Sequence, residues 1–418
     1  NQNTLSFTTL SKIAELSNAE RNNEEAFYTN KKLLNYIYKE MPIINKKIIR
    51  VLEPSVGVGN FIPYIISKYS YAEELIIDVV DINDYSIGVL KQLIKIIDVP
   101  ENVTINYICN DYLLHDFDER YDLITGNPPF MKLNSKDKNF KVYRENCIND
   151  ESKNTSSYFL EKSLNLSDNV VMVMPKFLLN TVEYQKTRNF VSNMNIVSII
   201  DFGEKGFDGV LIETLCININ TKNKPSTSKI LSITLDKEIK QKQSYYTDKK
   251  LPYWVIYRNK DFDSLFNKMI FNIFDVFRDR QITNNNSSKS KKKIWVIKSR
   301  NINDDATEIC HVEDYDQYVD LDDIKKYNVY DYLNNENVYI TPNMTYKPRV
   351  CKKPLGTIVN GSVAILIPKS DIKLTEEDML FFSTEEYRKF YKIARNYQTR
   401  SLNIDKTSVF FFGKLKEV

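Results

Sequence analysis

Histidine is nearly absent from this 418-residue chain: there are two, His115 and His311. Proton transfer through imidazole and histidine-rich metal centres are therefore not expected, and no metal is assigned. Cysteine is sparse. The five, Cys109, Cys147, Cys216, Cys310 and Cys351, show no CxxC or CxH spacing. Neither a disulfide framework nor a zinc site is expected, and a reducing cytoplasm fits. No apolar run approaches the ~20 residues that span a bilayer, so no membrane partner is expected. An excess of one charge is also missing, with 58 basic side chains against 55 acidic and a net charge of +3. Any nucleic-acid surface must be a local patch. Glycine is scarce at ten, so glycines that cluster mark backbone of special shape.

The length fits two domains, and 27 Tyr with 22 Phe can fill their cores. Residues 1–225 alternate apolar runs with amphipathic stretches: "KIIRVLEPS", "ELIIDVVDIN", "TINYICND", "YDLITGN" and "NVVMVMP" read as strands, and "NFIPYIISKYS", "DYSIGVLKQLIKII" and "SSYFLEKSLNLS" as helices. Ser156 or Ser157 is the expected cap of the last. "SIIDFG" and "ETLCININ" read as a final pair of strands. Strands apolar on both faces, alternating with helices, predict an α/β fold: a doubly wound, mostly parallel sheet. "TKNKPSTSK" reads as a linker. Residues 226–418 are mixed α+β and loop-rich. There "GTIVNGSVAILIPK" reads as a hairpin, and "STEEYRKFYKIARNYQT" as a helix opening on a Ser-x-x-Glu capping box.

Four strand ends carry chemistry. "LEPSVGVGNF" follows the first strand and opens a helix, where Gly57 and Gly59 permit a tight turn and an anionic group is favoured. It lacks the third glycine of a GxGxxG fingerprint, since Ile62 stands there; taken alone, a turn without a ligand explains it equally well. Asp81 ends the second strand, 22 residues past Gly59. At that spacing a carboxylate can accept from ribose hydroxyls. Asp111 ends the third and can accept from an exocyclic amino group of adenine, although a plain turn Asp is as good a reading alone. "TGNPPF" ends the fourth. Ligands bind at the carboxyl edge of such sheets, which puts the double proline at the site.

These motifs resemble the S-adenosylmethionine-dependent amino-methyltransferases that act on adenine N6 in DNA. "NPPF" looks like their catalytic motif, "LEPSVGVGNF" like their cofactor motif, and "AFYTNKKLLNYI" like the segment preceding it. The order resembles the gamma class, common among type II restriction–modification methylases. The resemblance implies a Rossmann-like methyltransferase sheet over 1–225 and a DNA target-recognition domain over 226–418. It implies that Tyr28 and Thr29 lie over the cofactor, that Glu53, Pro54 and Ser55 meet its amino-acid part with Gly57 and Gly59, that Asp81 and Ile82 hold the ribose, and that Asp111 and Tyr112 hold the adenine. Phe130, where the family more often has Tyr, and Val58 inside the glycine turn are departures.

The chemistry suits such residues. An adenine amino nitrogen is a poor nucleophile, because its lone pair is delocalised into the ring. Acceptors at Asn127 Oδ1 and the Pro128 carbonyl would draw the nitrogen toward sp³, and Pro128 and Pro129 would keep them rigid. Phe130 would stack on the base. A duplex base must be flipped out to react, and "DFGEKGFDGVLIET" resembles the family segment that supplies a second wall, pointing to Phe207. The expected partner is double-stranded DNA, contacted by Lys293, Arg300, Lys347, Arg349, Lys352, Arg395, Asn396 and Arg400. A cognate restriction endonuclease acting separately is expected beside it. Alternative substrates for the same motif are a ribosomal RNA base or a release-factor glutamine amide. A non-catalytic DNA-binding module is the alternative from another class, and intact Asn127, Asp81 and Asp111 speak against it.

Overall fold

The computed structural model describes residues 6–17, 31–134, 136–206, 212–290, 293–306, 308–399 and 403–417. The chain divides into two compact units, Asn1–Asp248 and Lys249–Val418. The boundary expected near residue 225 therefore falls too early. Thr227–Ser232 pairs in parallel with Asn195–Gly203, and Lys237–Lys242 pairs antiparallel beyond it, so the supposed linker is a short connection between two strands of one sheet, and its last three residues already belong to the second of them.

Among the described residues of the first unit the helices include α1 (Phe7–Ser17), α2 (Lys31–Glu40), α3 (Ile62–Tyr69), α4 (Asp84–Ile94), α5 (Phe140–Glu145), α6 (Thr155–Leu166) and α7 (Gln185–Val191). The strands are β1 (Ile48–Glu53), β2 (Glu74–Asp81), β3 (Val103–Cys109), β4 (Leu123–Gly126), β5 (Asn169–Pro175), β6 (Asn195–Gly203), β7 (Thr214–Asn220), β8 (Thr227–Ser232) and β9 (Lys237–Lys242). They form one sheet in the order β3-β2-β1-β4-β5-β7-β6-β8-β9. The first five strands run parallel; β7 is antiparallel to both neighbours. This is the doubly wound, mostly parallel, Rossmann-like sheet that the alternation predicts. Every residue of β4, and all of β5 after Asn169, is buried, as helices on both faces require.

Chain order reverses at β1, with β2 and β3 on one side and β4 and β5 on the other. The crevice between the carboxyl ends of β1 and β4 is the ligand position of such sheets. Local signals fix the entries to it. Pro63 lies in the first turn of α3, where a missing N–H costs nothing. Asn83 caps α4 by accepting from Ser86 N–H. Asn154, not Ser156 or Ser157, caps α6, accepting from the N–H and hydroxyl of Ser156.

The second unit holds an antiparallel sheet of β11 (Phe274–Arg278), β17 (Val363–Pro368), β14 (Tyr339–Pro342) and β15 (Cys351–Lys352), in that order, and a three-stranded sheet of β13 (Gln317–Val319), β12 (Ile294–Ile297) and β16 (Ile358–Val359). Strand β10 (Met269–Ile270) pairs with β18 (Lys414–Leu415). The expected hairpin over 356–369 does not form, because β16 pairs with β12 while β17 pairs with β11 and β14. Two helices, α8 (Lys260–Lys268) and α9 (Glu385–Ala394), meet through aromatic rings, with Phe262 and Phe390 stacked at 4.6 Å. Thr384 rather than Ser383 caps α9.

Candidate functional site

A cavity of about 410 Å³ opens at the carboxyl ends of the first unit's strands, lined by Glu53, Pro54, Ser55, Gly57, Asp81, Ile82, Asp111, Tyr112, Asn127 and Pro129 among others. These are strand-end residues named from the sequence, and the fold brings them together. The cavity's wall also includes Glu15, Leu133, Tyr143, Thr155 and Phe159, which sequence reasoning missed. Thr155 and Phe159 are four residues apart on α6 and share a face; that spacing was the available cue. Glu15 on α1 carries none.

The glycine turn is built by geometry that other residues would break. Gly59 has φ +81°, and a Cβ there would come within 2.3 Å of Leu90 Cδ1. Gly57 has φ +51°, and its N–H donates to Asp81 Oδ2 at 2.7 Å. Asp81 Oδ1 accepts from Asn83 N–H at 2.9 Å. One carboxylate thus joins the turn after β1 to the end of β2. Ile82 is apolar yet 67% exposed at the cavity.

Glu53 ends β1 and is 1% exposed. Its Oε2 has no hydrogen-bond partner among the described residues. Burial, and then the charge of Asp81, push its carboxyl well above the usual carboxylate range. A buried carboxylate oxygen of this kind suits a ligand that brings a cation. At the other end of the cavity the wall is largely apolar and aromatic. The Tyr112 and Phe159 rings lie 5.0 Å apart, and Tyr112 Oη is hydrogen-bonded to Ser163 Oγ at 2.9 Å. Asp111 stands there, its Oδ1 accepting from Leu113 N–H at 2.9 Å and its Oδ2 from the Tyr143 hydroxyl.

The NPPF loop is held by its carbonyls. Ser55 Oγ donates to the Asn127 carbonyl at 3.1 Å. Thr155 Oγ1 donates to that of Pro129 at 2.6 Å, and Asn154 Nδ2 to that of Phe130 at 2.8 Å. Thr155 N–H donates to the Met131 carbonyl at 3.0 Å. Among the described residues no donor reaches the carbonyl of Pro128. Gly126 leads into the loop because a Cβ would lie 3.3 Å from Pro54 Cδ. A side chain there would press the ends of β1 and β4 apart by a few tenths of an ångström. The Phe130 ring does not stand open for stacking. It is 3% exposed, inside the core cluster that includes Val171, Val173 and Phe202.

Tyr28, Thr29, Phe207 and Arg400 lie outside the described residues. Of the second unit's expected DNA contacts, Arg300, Lys347 and Lys352 are exposed. Lys293 pairs with Asp320 at 2.6 Å. Arg349 is mostly covered, donating to the Ser299 carbonyl at 3.1 Å and pairing with Asp304 at 3.3 Å. Arg395 and Asn396 are not at the surface expected of DNA contacts: both are interior, at 1% and 0% exposure. Asn396 takes φ +49° just past α9, and its side chain bridges the Trp254 carbonyl and the Ile256 N–H. Arg395 is turned inward beside it, onto the Asn403 carbonyl and the Tyr391 ring.

Among the described residues no helix is long and apolar enough to cross a membrane. Comparison with known proteins agrees with the sheet. Residues 67–207 match the Eco57I restriction-modification methylase family. The type II methyltransferase M.VspI of Vibrio sp. (strain 343) is 27% identical over 241 residues, covering 50% of this chain and 55% of that protein. M.AccI of Acinetobacter calcoaceticus is 29% identical over 203 residues, covering 45% and 36%. The chain thus spans about half or less of these relatives' lengths. The solved structure of the type IIL restriction-modification enzyme MmeI in complex with DNA aligns over 88% of this chain and 66% of its own, with a TM-score of 0.53 and 11% identity, a likeness of fold. Over about half its length, then, the chain is similar to type II restriction–modification methyltransferases.

Proposed function

We propose that the chain is a gamma-class, site-specific DNA methyltransferase that moves a methyl group from S-adenosylmethionine to the N6 amino group of a flipped-out adenine in double-stranded DNA. The observation that carries this reading is the NPPF loop. Its other carbonyls are engaged, while that of Pro128 has no donor among the described residues. A rigid loop that reserves one carbonyl beside an asparagine amide is suited to a two-hydrogen amino group. Asn127 and Pro128 accept its two N–H bonds and leave the nitrogen lone pair localised toward the methyl donor.

The cavity fits S-adenosylmethionine at both ends. Glu53, with its buried Oε2, faces the cationic amino-acid end; Asp81 and Ile82 take the ribose; Asp111, Tyr112 and Phe159 enclose the adenine. The cofactor supplies an activated methyl on a sulfonium. The chain supplies proximity and orientation, and no imidazole base is needed. The second unit, Lys249–Val418, is the target-recognition region, with Arg300, Lys347 and Lys352 meeting phosphates. Phe207 walls the flipped base. The modification protects host DNA from a separate cognate endonuclease.

Expression in a methylation-free host, followed by long-read sequencing for modified bases, tests this. N6-methyladenine at one defined motif is expected. Unmodified DNA, or a modified cytosine, would overturn it.

A further inference from the structure

The carboxylate at the apolar end of the cavity is not free to rotate. Asp111 follows the end of β3 in a turn, and each of its oxygens already accepts one hydrogen bond: Oδ1 from Leu113 N–H at 2.9 Å, Oδ2 from Tyr143. A carboxylate oxygen has room for two, so each keeps a lone pair for a ligand. The phenol's direction is set in turn, because Asn139 Nδ2 donates to Tyr143 Oη at 3.4 Å. The Tyr143 proton is therefore committed to Asp111. Burial, and then the bond to Asp111, push the phenol's pKa up, so it stays a donor.

Tyr143 lies on α5, in the segment that leaves the NPPF loop. Its ring rests against that of Tyr158 at 6.1 Å, and both tyrosines pack with Leu133, Phe140 and Met131. Tyr143, Leu133 and Met131 also line the cavity together with Asp111 and Phe159. The segment after NPPF thus returns to fix the acceptor at the far end of the same cavity.

We propose that Tyr143 is a positioning residue for the donor's adenine: it fixes the rotation of the Asp111 carboxylate so that the remaining lone pair of Oδ2 faces the exocyclic amino group. This rests on the cofactor reading above. A side chain that merely packs would support any ligand of the same shape. One that orients an acceptor matters only for a ligand with a hydrogen to donate.

The test is calorimetry on the whole chain with two ligands, S-adenosylmethionine and its analogue carrying purine without the 6-amino group. Tyr143→Phe keeps the ring and loses the hydroxyl. It should weaken S-adenosylmethionine binding roughly five- to tenfold, the scale of one oriented hydrogen bond. The deamino analogue should change less than about twofold, below that scale. In an Asp111→Ala background the same substitution should leave S-adenosylmethionine affinity unchanged. Equal losses for both ligands would assign Tyr143 to packing and overturn the proposal, as would no loss for either. If the wild-type chain bound neither ligand, the cofactor reading itself would fall; normal wild-type binding with equal losses would overturn the role of Tyr143 alone.

Discussion

Thr155 Oγ1 donates to the Pro129 carbonyl at 2.6 Å, from the first turn of the helix that also presents Phe159 to the cavity. One helix end therefore braces the proposed catalytic loop and walls the proposed donor. Thr155→Val keeps the side-chain shape and removes that brace. Displacing an acceptor by a fraction of an ångström weakens orientation more than binding. Single-turnover methylation is expected to slow roughly 10- to 100-fold, with the donor's dissociation constant nearly unchanged. A wild-type rate would mean that Ser55 and Asn154 suffice to hold the loop.

Asn127 offers the only side-chain acceptor within NPPF. Asn127→Ala is expected to lower the single-turnover rate by about 10²- to 10³-fold or more, the scale for loss of one preorganised polar group at a transition state. Donor and DNA affinity should persist in calorimetry and gel-shift assays. Appreciable turnover in this variant would remove the amide from the mechanism.

Glu53 gives a pH signature. Its carboxyl sits well above the usual range because it is buried and lies beside Asp81, so the empty folded chain holds this proton where an unfolded glutamate has lost it. As far as this group goes, stability is greatest in acid. It falls as pH rises from the ordinary glutamate value through the raised one. A cationic ligand favours the ionised form, so binding should expel a proton and affinity should rise with pH across that window. Calorimetry in buffers of different ionisation enthalpy measures the released proton, and Glu53→Gln should abolish both the release and the pH slope.

Legibility of the site in the sequence follows chain topology. In a doubly wound sheet each strand end falls at one edge, so Asp81, Asp111 and Asn127 could be gathered from alternation, whereas Glu53 comes from the resemblance of "LEPSVGVGNF" to a cofactor motif. Tyr143 and Glu15 arrive by packing of segments that carry no periodic signal toward the edge, and Thr155 is marked only by its helical spacing from Phe159. The unit boundary was misjudged for a related reason. "TKNKPSTSK" has linker composition, yet the pairing of β8 with β6 is a tertiary fact. The charged run after α9 departs furthest from its sequence pattern. Polar residues were expected at a surface, whereas the left-handed turn at Asn396 carries Arg395 into the interior.

Asp81 should serve stability as well as affinity. Its oxygens accept the N–H groups of Gly57 and Asn83. Asp81→Ala leaves both donors without that partner, and a cost of about 1–3 kcal/mol is expected for the first unit. Asp81→Asn keeps one acceptor and should cost less. In both variants donor affinity should drop further than the melting shift explains, by comparison with Ser86→Ala at the cavity rim. Equal effects from all three would deny Asp81 a direct part in binding.

Arg395 and Arg300 were alike as sequence candidates for DNA contact, and the structure separates them. Arg395 is buried on the Asn403 carbonyl and the Tyr391 ring. Arg300 is exposed, its guanidinium 5.2 Å from the Tyr315 ring beside Lys298. Arg395→Ala opens a cavity and strands the part-buried Asn403 carbonyl, so urea denaturation should report a loss of about 2–4 kcal/mol in the second unit. Any fall in its DNA affinity should track the unfolded fraction. Arg300→Ala should leave the urea midpoint within error, since a surface change away from such features costs about 0.5 kcal/mol or less. If Arg300 neutralises a phosphate, the same variant should weaken DNA binding across sequences and reduce the slope of log affinity against log salt by about one. An unchanged slope would remove Arg300 from the interface and leave Lys347 and Lys352 as the exposed cations to test.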